Sequence, residues 1–177
     1  GAALPAAARC GGTAGWWPPP PGAIGMSEWR LDPWSVADAR AVARLHGACF
    51  DDAWSAAVIR RLMDARGGFG FVVRYGRLTQ GFVLCRLAGD DCEILTIGVA
   101  PRRRRHGVGA RLLAAVLRRA AEDGAGRIVL EVAADNDPGR RFYGAHDFSK
   151  IGVRPGYYGG GVDGVDALVL ARSISGS

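Results

Sequence analysis

Ile94-Leu95-Thr96-Ile97-Gly98-Val99-Ala100-Pro101-Arg102-Arg103-Arg104-Arg105-His106-Gly107-Val108-Gly109-Ala110-Arg111-Leu112-Leu113 reads as a strand, a basic glycine turn and the start of a helix. Up to Ala100 the residues are mostly β-branched or apolar; from Val108 on, Leu112, Leu113, Val116 and Leu117 keep helical spacing to about Glu122. Two glycines strip side chains from the turn. Its backbone N–H groups, and the first unpaired N–H groups of the helix, can then converge on an anion, helped by the helix dipole. The spacing Arg104-x-x-Gly107-x-Gly109 lacks both the Lys-Ser/Thr ending of a nucleoside-triphosphate loop and the longer G-x-G-x-x-G of a dinucleotide loop. A polyphosphate ligand is the first expectation.

Upstream, Phe69 to Tyr75, Thr79 to Leu87 and Cys92 to Ala100 are strands rich in Val, Ile, Phe and Leu, separated by Gly76-Arg77 and Gly89-Asp90 as hairpin turns. An antiparallel meander follows. Before it, Glu28 to Leu31 is a short strand, and Ser35 caps a helix from Val36 to about Cys49 with Ala39, Val42, Leu45 and Cys49 on one face. His46 falls beside that stripe, a surface or core-edge position with no assigned role. Ser55 caps a second helix to about Ala65, ended by Gly67-Gly68.

Downstream, Gly124-Ala125-Gly126 stops the long helix and Arg127 to Ala133 is a strand. Strand, helix and strand in this order imply a right-handed crossover and hence a parallel pair. Asn136-Asp137-Pro138 opens a helix through Tyr143. Phe148 to Val153 and Val165 to Ala171 are the last strands, joined by a flexible segment Pro155 to Gly161. The expected fold is α/β (α+β), a mixed sheet with helices on both faces.

At 177 residues and 49% hydrophobic, the chain can bury one good core. Residues 1–25 are Ala/Gly/Pro-rich and without periodicity, an expected disordered extension, and Met26-Ser27 reads as a natural start before an expected catalytic domain over 26–177. Trp16 and Trp17 beside four prolines offer the alternative of a docking segment. The net charge of +6 suits an anionic ligand, but Lys150 is the only lysine, so the charge is almost wholly arginine and argues only weakly for nucleic acid. Cys10, Cys49, Cys85 and Cys92 show no zinc spacing, and Cys85 and Cys92 are read as small buried thiols rather than a bridge. A reducing, cytoplasmic setting and no membrane span are expected.

The glycine turn together with Leu130-Glu131-Val132-Ala133-Ala134-Asp135-Asn136, Arg141-Phe142-Tyr143 and Tyr157-Tyr158 resembles the GNAT superfamily of N-acetyltransferases, over about Leu31 to Ser173. The combination looks most like the RimI-type branch, which acetylates the N-terminal alanine of ribosomal protein S18. The resemblance implies the acyl-CoA N-acyltransferase fold, a mixed, mostly antiparallel sheet flanked by helices, with acetyl-CoA as cosubstrate, no metal, and a protein N-terminal peptide as partner.

It also implies roles. Arg105, His106, Gly107, Val108, Gly109 and Ala110 would hold the pyrophosphate through backbone N–H groups, with Arg104 and its neighbours adding charge. Ile97, Gly98 and Val99 would present strand edge to the pantetheine and acetyl group, and Asn136 would bond the pantetheine arm while also capping its helix. Glu131 matches the branch's general base and Tyr143 its general acid. An α-amine, with a pKa near ~8 against ~10.4 for lysine, is the easier substrate for a carboxylate at neutral pH, and a phenol near ~10 can protonate a thiolate whose thiol is near ~8.5. Tyr157 and Tyr158 would wall a small substrate pocket beside an extended peptide.

Four positions depart from the family pattern. Asp147 stands where a helix-ending glycine is usual, which bears on the placement of Tyr143; His106 and Gly139 replace a usual arginine and alanine; Gly159 follows the tyrosine pair where proline is common. The competing readings are acetylation of a small-molecule amine or a lysine, and a non-catalytic binder of acetyl-CoA or RNA.

Overall fold

The computed structural model describes residues 29–158 and 164–174. The strands are β1 (Trp29–Pro33), β2 (Gly68–Tyr75), β3 (Leu78–Ala88), β4 (Asp91–Val99), β5 (Arg127–Ala133), β6 (Ser149–Tyr158) and β7 (Val165–Ser173). The helices are α1 (Ala39–Cys49), α2 (Ala56–Asp64), α3 (Val108–Glu122) and α4 (Asp137–Gly144). One seven-stranded sheet runs in the order β1-β2-β3-β4-β5-β7-β6, antiparallel throughout except for the parallel β4–β5 pair. This is the mixed sheet the pattern predicts. The expected extension over residues 1–25 and the Gly159 position lie outside the described residues.

Two apolar layers cover the sheet. On one face Val108, Leu112, Leu113 and Val116 of α3 pack with Ile128, Leu130, Val132, Tyr143 and Phe148; on the other Val42, Leu45, Ile59 and Met63 of α1 and α2 pack with Val72, Phe82, Leu84 and Leu95. The starts of both early helices follow the sequence logic. The Asp38 carboxylate accepts from the Ser35 N–H at 3.0 Å, with Val36 to Asp38 as a 3-10 turn ahead of α1, and the Ser55 hydroxyl accepts from the Val58 N–H at 3.2 Å. Arg74 then joins Asp38 and Asp32, tying β1 and α1 to β2.

Two local expectations change, for His46 and for Pro155 to Tyr158, and the one for Cys85 and Cys92 holds. His46 is fully buried rather than edge-exposed: its Nδ1 accepts from the Trp54 N–H at 3.2 Å, and its ring lies near Phe50, Trp54 and Phe82. Burial lowers its pKa to about 4, so the ring is neutral. Cys85 and Cys92 are buried as the sequence reading expects, and the two-residue turn at Gly89-Asp90 sets Cys85 opposite Ile94 and Cys92 opposite Leu87. Both thiols are free and buried, and burial together with the neighbouring Cys92 pushes Cys85 up. Finally, Pro155 to Tyr158 belong to β6 rather than to a flexible connection. A bulge between Arg154 and Tyr158 absorbs the proline, Gly156 takes φ 59° with its N–H on Asp166 at 2.9 Å, and Tyr158 rejoins the ladder opposite Val165.

Candidate active site

The sheet is split at its centre. β4 and β5 pair only over Asp91–Ile94 and Arg127–Leu130; from Leu95 onward β4 is laddered to β3 alone, and from Glu131 onward β5 is laddered to β7 alone. The extra residue at Leu95 supplies a physical cause, since a bulge bends its strand and increases the local twist. Ile97, Gly98 and Val99 therefore offer a strand edge toward the split. Gly98 itself is fixed by packing on the α1 face: an added Cβ would lie 2.6 Å from the Phe82 ring and 3.4 Å from the Cys49 sulfur.

At the end of β4 the chain makes a 3-10 turn over Pro101–Arg103 and reaches α3 through two left-handed residues, Arg105 (φ 66°) and Gly107 (φ 76°). Gly107 is the N-cap and no side chain caps the helix, so the N–H groups of Val108, Gly109 and Ala110 have no acceptor within the helix. An Ala side chain at 109 would stand 3.3 Å from the Phe142 ring, so glycine lets α4 close against the start of α3. The arginines divide their work. The Arg103 guanidinium lies over Trp29 (5.5 Å) and Tyr75 (5.2 Å), whose rings pair at 5.1 Å, and Arg104 Nε donates to the Val99 carbonyl at 3.3 Å. His106 Nδ1 lies 2.7 Å from the Arg104 carbonyl oxygen. Arg103 and Arg104 thus brace the turn.

Asn136 caps α4, its Oδ1 accepting from the Gly139 N–H at 3.0 Å, which leaves the amide NH₂ as a donor. Glycine at 139 suits this cap, because a Cβ there would approach the Asn136 amide to 2.8 Å. Tyr143 is buried near the end of α4 against Phe142 and Phe148, with ring centroids at 5.2 and 5.4 Å.

Glu131 is the first residue of β5 beyond the paired segment, and strand alternation turns it away from Leu130 and Val132, toward the α1/α2 side. There Arg154 of β6 reaches across β7, Nε to Oε1 at 2.7 Å, and lies 5.7 Å from the Tyr157 ring. Tyr157 and Tyr158 meet edge to face at 5.4 Å. Burial, then the Glu131 carboxylate, pushes both phenols above their usual range, so both stay protonated at neutral pH. The Tyr158 hydroxyl is buried with no hydrogen-bond partner among the described residues.

Residues 26–148 match the acetyltransferase (GNAT) family model. The chain belongs to the GNAT acetyltransferase family. This GNAT chain is 34% identical over 146 residues to the N-alpha-acetyltransferase RimI of Mycobacterium tuberculosis, covering 77% of this chain and 87% of that one. Its fold superposes on the crystal structure of the ribosomal-protein-S18-alanine N-acetyltransferase from Escherichia coli with a TM-score of 0.76 at 23% identity, covering 84% and 96% of the two chains. It likewise matches Arabidopsis thaliana Naa50 in complex with a bisubstrate analogue, with a TM-score of 0.72 at 23% identity and coverages of 82% and 99%. The protein is an acetyl-CoA-dependent N-acetyltransferase.

The GNAT site fits acetyl-CoA on its own geometry: the left-handed turn leaves helix N–H groups uncapped for phosphate, and the split leaves the β4 edge open beside Asn136. The fold brings Glu131, Tyr157 and Tyr158 together on one side of the sheet and Tyr143 to the other. Arg154 has no counterpart in the sequence reading. Its partnership with Glu131 depends on the register of β6 on β7, which no local pattern encodes. Among the described residues no cluster of His, Cys, Asp and Glu could hold a metal ion, and no helix is long and apolar enough to cross a membrane.

Proposed function

We propose that this acetyltransferase acts on a protein N-terminal α-amine, the N-terminal alanine of ribosomal protein S18 being its first acceptor, with Glu131 as base and Tyr143 as acid. One observation carries the reading. Glu131 stands at the mouth of the β4/β5 split with Tyr157 and Tyr158 beside it, while Tyr143 arrives from the opposite side of the sheet. A carboxylate and a phenol on two sides of one opening suit an amine entering from one and a thiol leaving toward the other. The 34% identity to the mycobacterial RimI supports this choice of acceptor class.

Acetyl-CoA, when bound, supplies a thioester carbonyl and a thiolate leaving group. The uncapped N–H groups of Val108, Gly109 and Ala110 would hold its phosphates, with Arg105, His106 and Gly107 shaping the turn, and the edge of Ile97 to Val99 and the Asn136 amide would hold the arm. Glu131 takes a proton from the acceptor ammonium, directly or through water, and Tyr143 keeps a phenolic proton for the departing sulfur. The Tyr157 and Tyr158 rings wall the place of the first residue. Catalysis runs by direct attack of the amine on the thioester, with no covalent enzyme intermediate. The proposed setting is the cytoplasm. Mass spectrometry of an S18 N-terminal hexapeptide incubated with enzyme and acetyl-CoA tests the reading; one acetyl on the α-amine is expected, and none at saturating acetyl-CoA would remove it.

A further inference from the structure

We propose that Phe82 and Cys49 form a wall that limits the transferred acyl group to acetyl. The inference rests on the proposed placement of the thioester in the β4/β5 split, with its acyl group at the β4 edge. The uncapped start of α3 lies on the α3 face of the sheet and Glu131 on the α1/α2 face. An acyl group held between them passes along Ile97 to Val99 toward the α1/α2 layer.

Alternation along β4 decides which groups stand at that edge. The Ala100 N–H donates to the Gln80 carbonyl, so the polar groups of Ala100 face β3 and those of Val99 face the split. The Val99 carbonyl accepts from the Cys49 thiol at 3.4 Å and from Arg104 Nε at 3.3 Å. The end of α1 therefore closes on the open edge from the α1/α2 side. One residue earlier, glycine at 98 lets the Phe82 ring of β3 lie over the β4 backbone. A Cβ at 98 would stand 2.6 and 2.7 Å from two of its ring carbons and 3.4 Å from the Cys49 sulfur. Phe82 is fully buried, with the His46 ring stacked at 5.9 Å, so close packing keeps it from swinging aside. An acyl chain longer than acetyl that follows the β4 edge meets this ring and this sulfur.

The test measures calorimetric dissociation constants for CoA, acetyl-CoA, propionyl-CoA and butyryl-CoA with wild type, Cys49→Ala and Phe82→Leu. Affinity for unacylated CoA verifies that each variant folds, and Cys49→Ala, at the rim of the core, carries the test alone if Phe82→Leu does not fold. Wild type is expected to bind butyryl-CoA at least about tenfold more weakly than acetyl-CoA, the scale on which a packed pocket refuses added methylenes. Cys49→Ala should bring propionyl-CoA within about threefold of acetyl-CoA, and Phe82→Leu should do the same for butyryl-CoA. Equal affinities for the three acyl-CoAs in wild type, or the same ratios in every protein that folds, would overturn the inference. Transfer to an alanine-initiated peptide, assayed with the same acyl-CoAs, separates the wall from the acceptor: the expected shifts in binding with no acyl transfer would remove the α-amine reading and support the wall.

Discussion

The Phe148 N–H donates to the Tyr143 carbonyl at 3.1 Å, and the two rings meet at 5.4 Å. With the Asp147 N–H on the Gly144 carbonyl at 3.3 Å, this is a Schellman ending of α4, complete with its apolar contact. Asp147 occupies the left-handed position that glycine usually takes, at φ 63°, and Tyr143 is held as the motif requires.

The departure from the family pattern therefore costs stability and leaves the geometry intact. D147G should raise stability by about 1 kcal/mol, or ~2–4 °C in Tm, by removing the left-handed penalty of a side chain. The loss of the 3.7 Å contact between Asp147 and Arg172 matters little, since the Asp147 side chain is 83% exposed. Thermal melts and turnover of the two proteins check this; a lower Tm would contradict it.

Y143F keeps the ring in its apolar site and removes only the hydroxyl. If the phenol protonates the leaving sulfur, kcat should fall roughly 10- to 100-fold with the KM for acetyl-CoA little changed. Steady-state kinetics with a thiol-detecting assay reads both constants, and an unchanged kcat would leave Tyr143 a packing residue.

Arg103 braces the turn through Trp29 and Tyr75. R103A should raise the KM for acetyl-CoA about two- to fivefold, the scale of a cation–π contact, at constant kcat. W29L, which leaves Arg103 in place but removes one ring beneath it, should show part of the same effect. A normal KM in both would separate the stack from the loop.

His46 makes stability depend on acidity. Its pKa falls from 6.5 to about 4 in the folded protein, so between these values the unfolded chain binds more protons. The stabilisation is present above pH 6.5 and is lost as pH falls toward 4. From pH 7.5 to 5 the loss should be about 2 kcal/mol. Urea melts at the two pH values measure it, and H46Q should flatten the difference.

The sequence carried the elements more faithfully than their contacts. Helix faces such as Val42/Leu45/Cys49 and the hairpins at Gly76 and Gly89 are written in local periodicity and turn chemistry, and the structure follows them. The glycine turn announced an anion site because two features of the chain, a strand end and an uncapped helix start, are sequential. By contrast, His46 lies one position beside the helical stripe, and only the Phe50, Trp54 and Phe82 rings gathered around it explain its burial. Pro155-Gly156 carries the signature of a loop, yet pairing of Tyr158 with Val165 extends the strand through it. The Glu131–Arg154 pair was invisible for the same reason: it is a product of register across β7.

The central claim is that Glu131 accepts a proton from an α-ammonium. It is met most directly by E131Q, assayed on an alanine-initiated peptide that also contains a lysine, with the acetylated atom located by fragmentation mass spectrometry and acetyl-CoA binding measured by calorimetry. The account predicts that wild type acetylates the α-amine and not the lysine, and that E131Q loses about 100-fold in kcat at neutral pH while binding acetyl-CoA as wild type does. Full turnover by E131Q, or acetyl groups found on the lysine side chain, would contradict it.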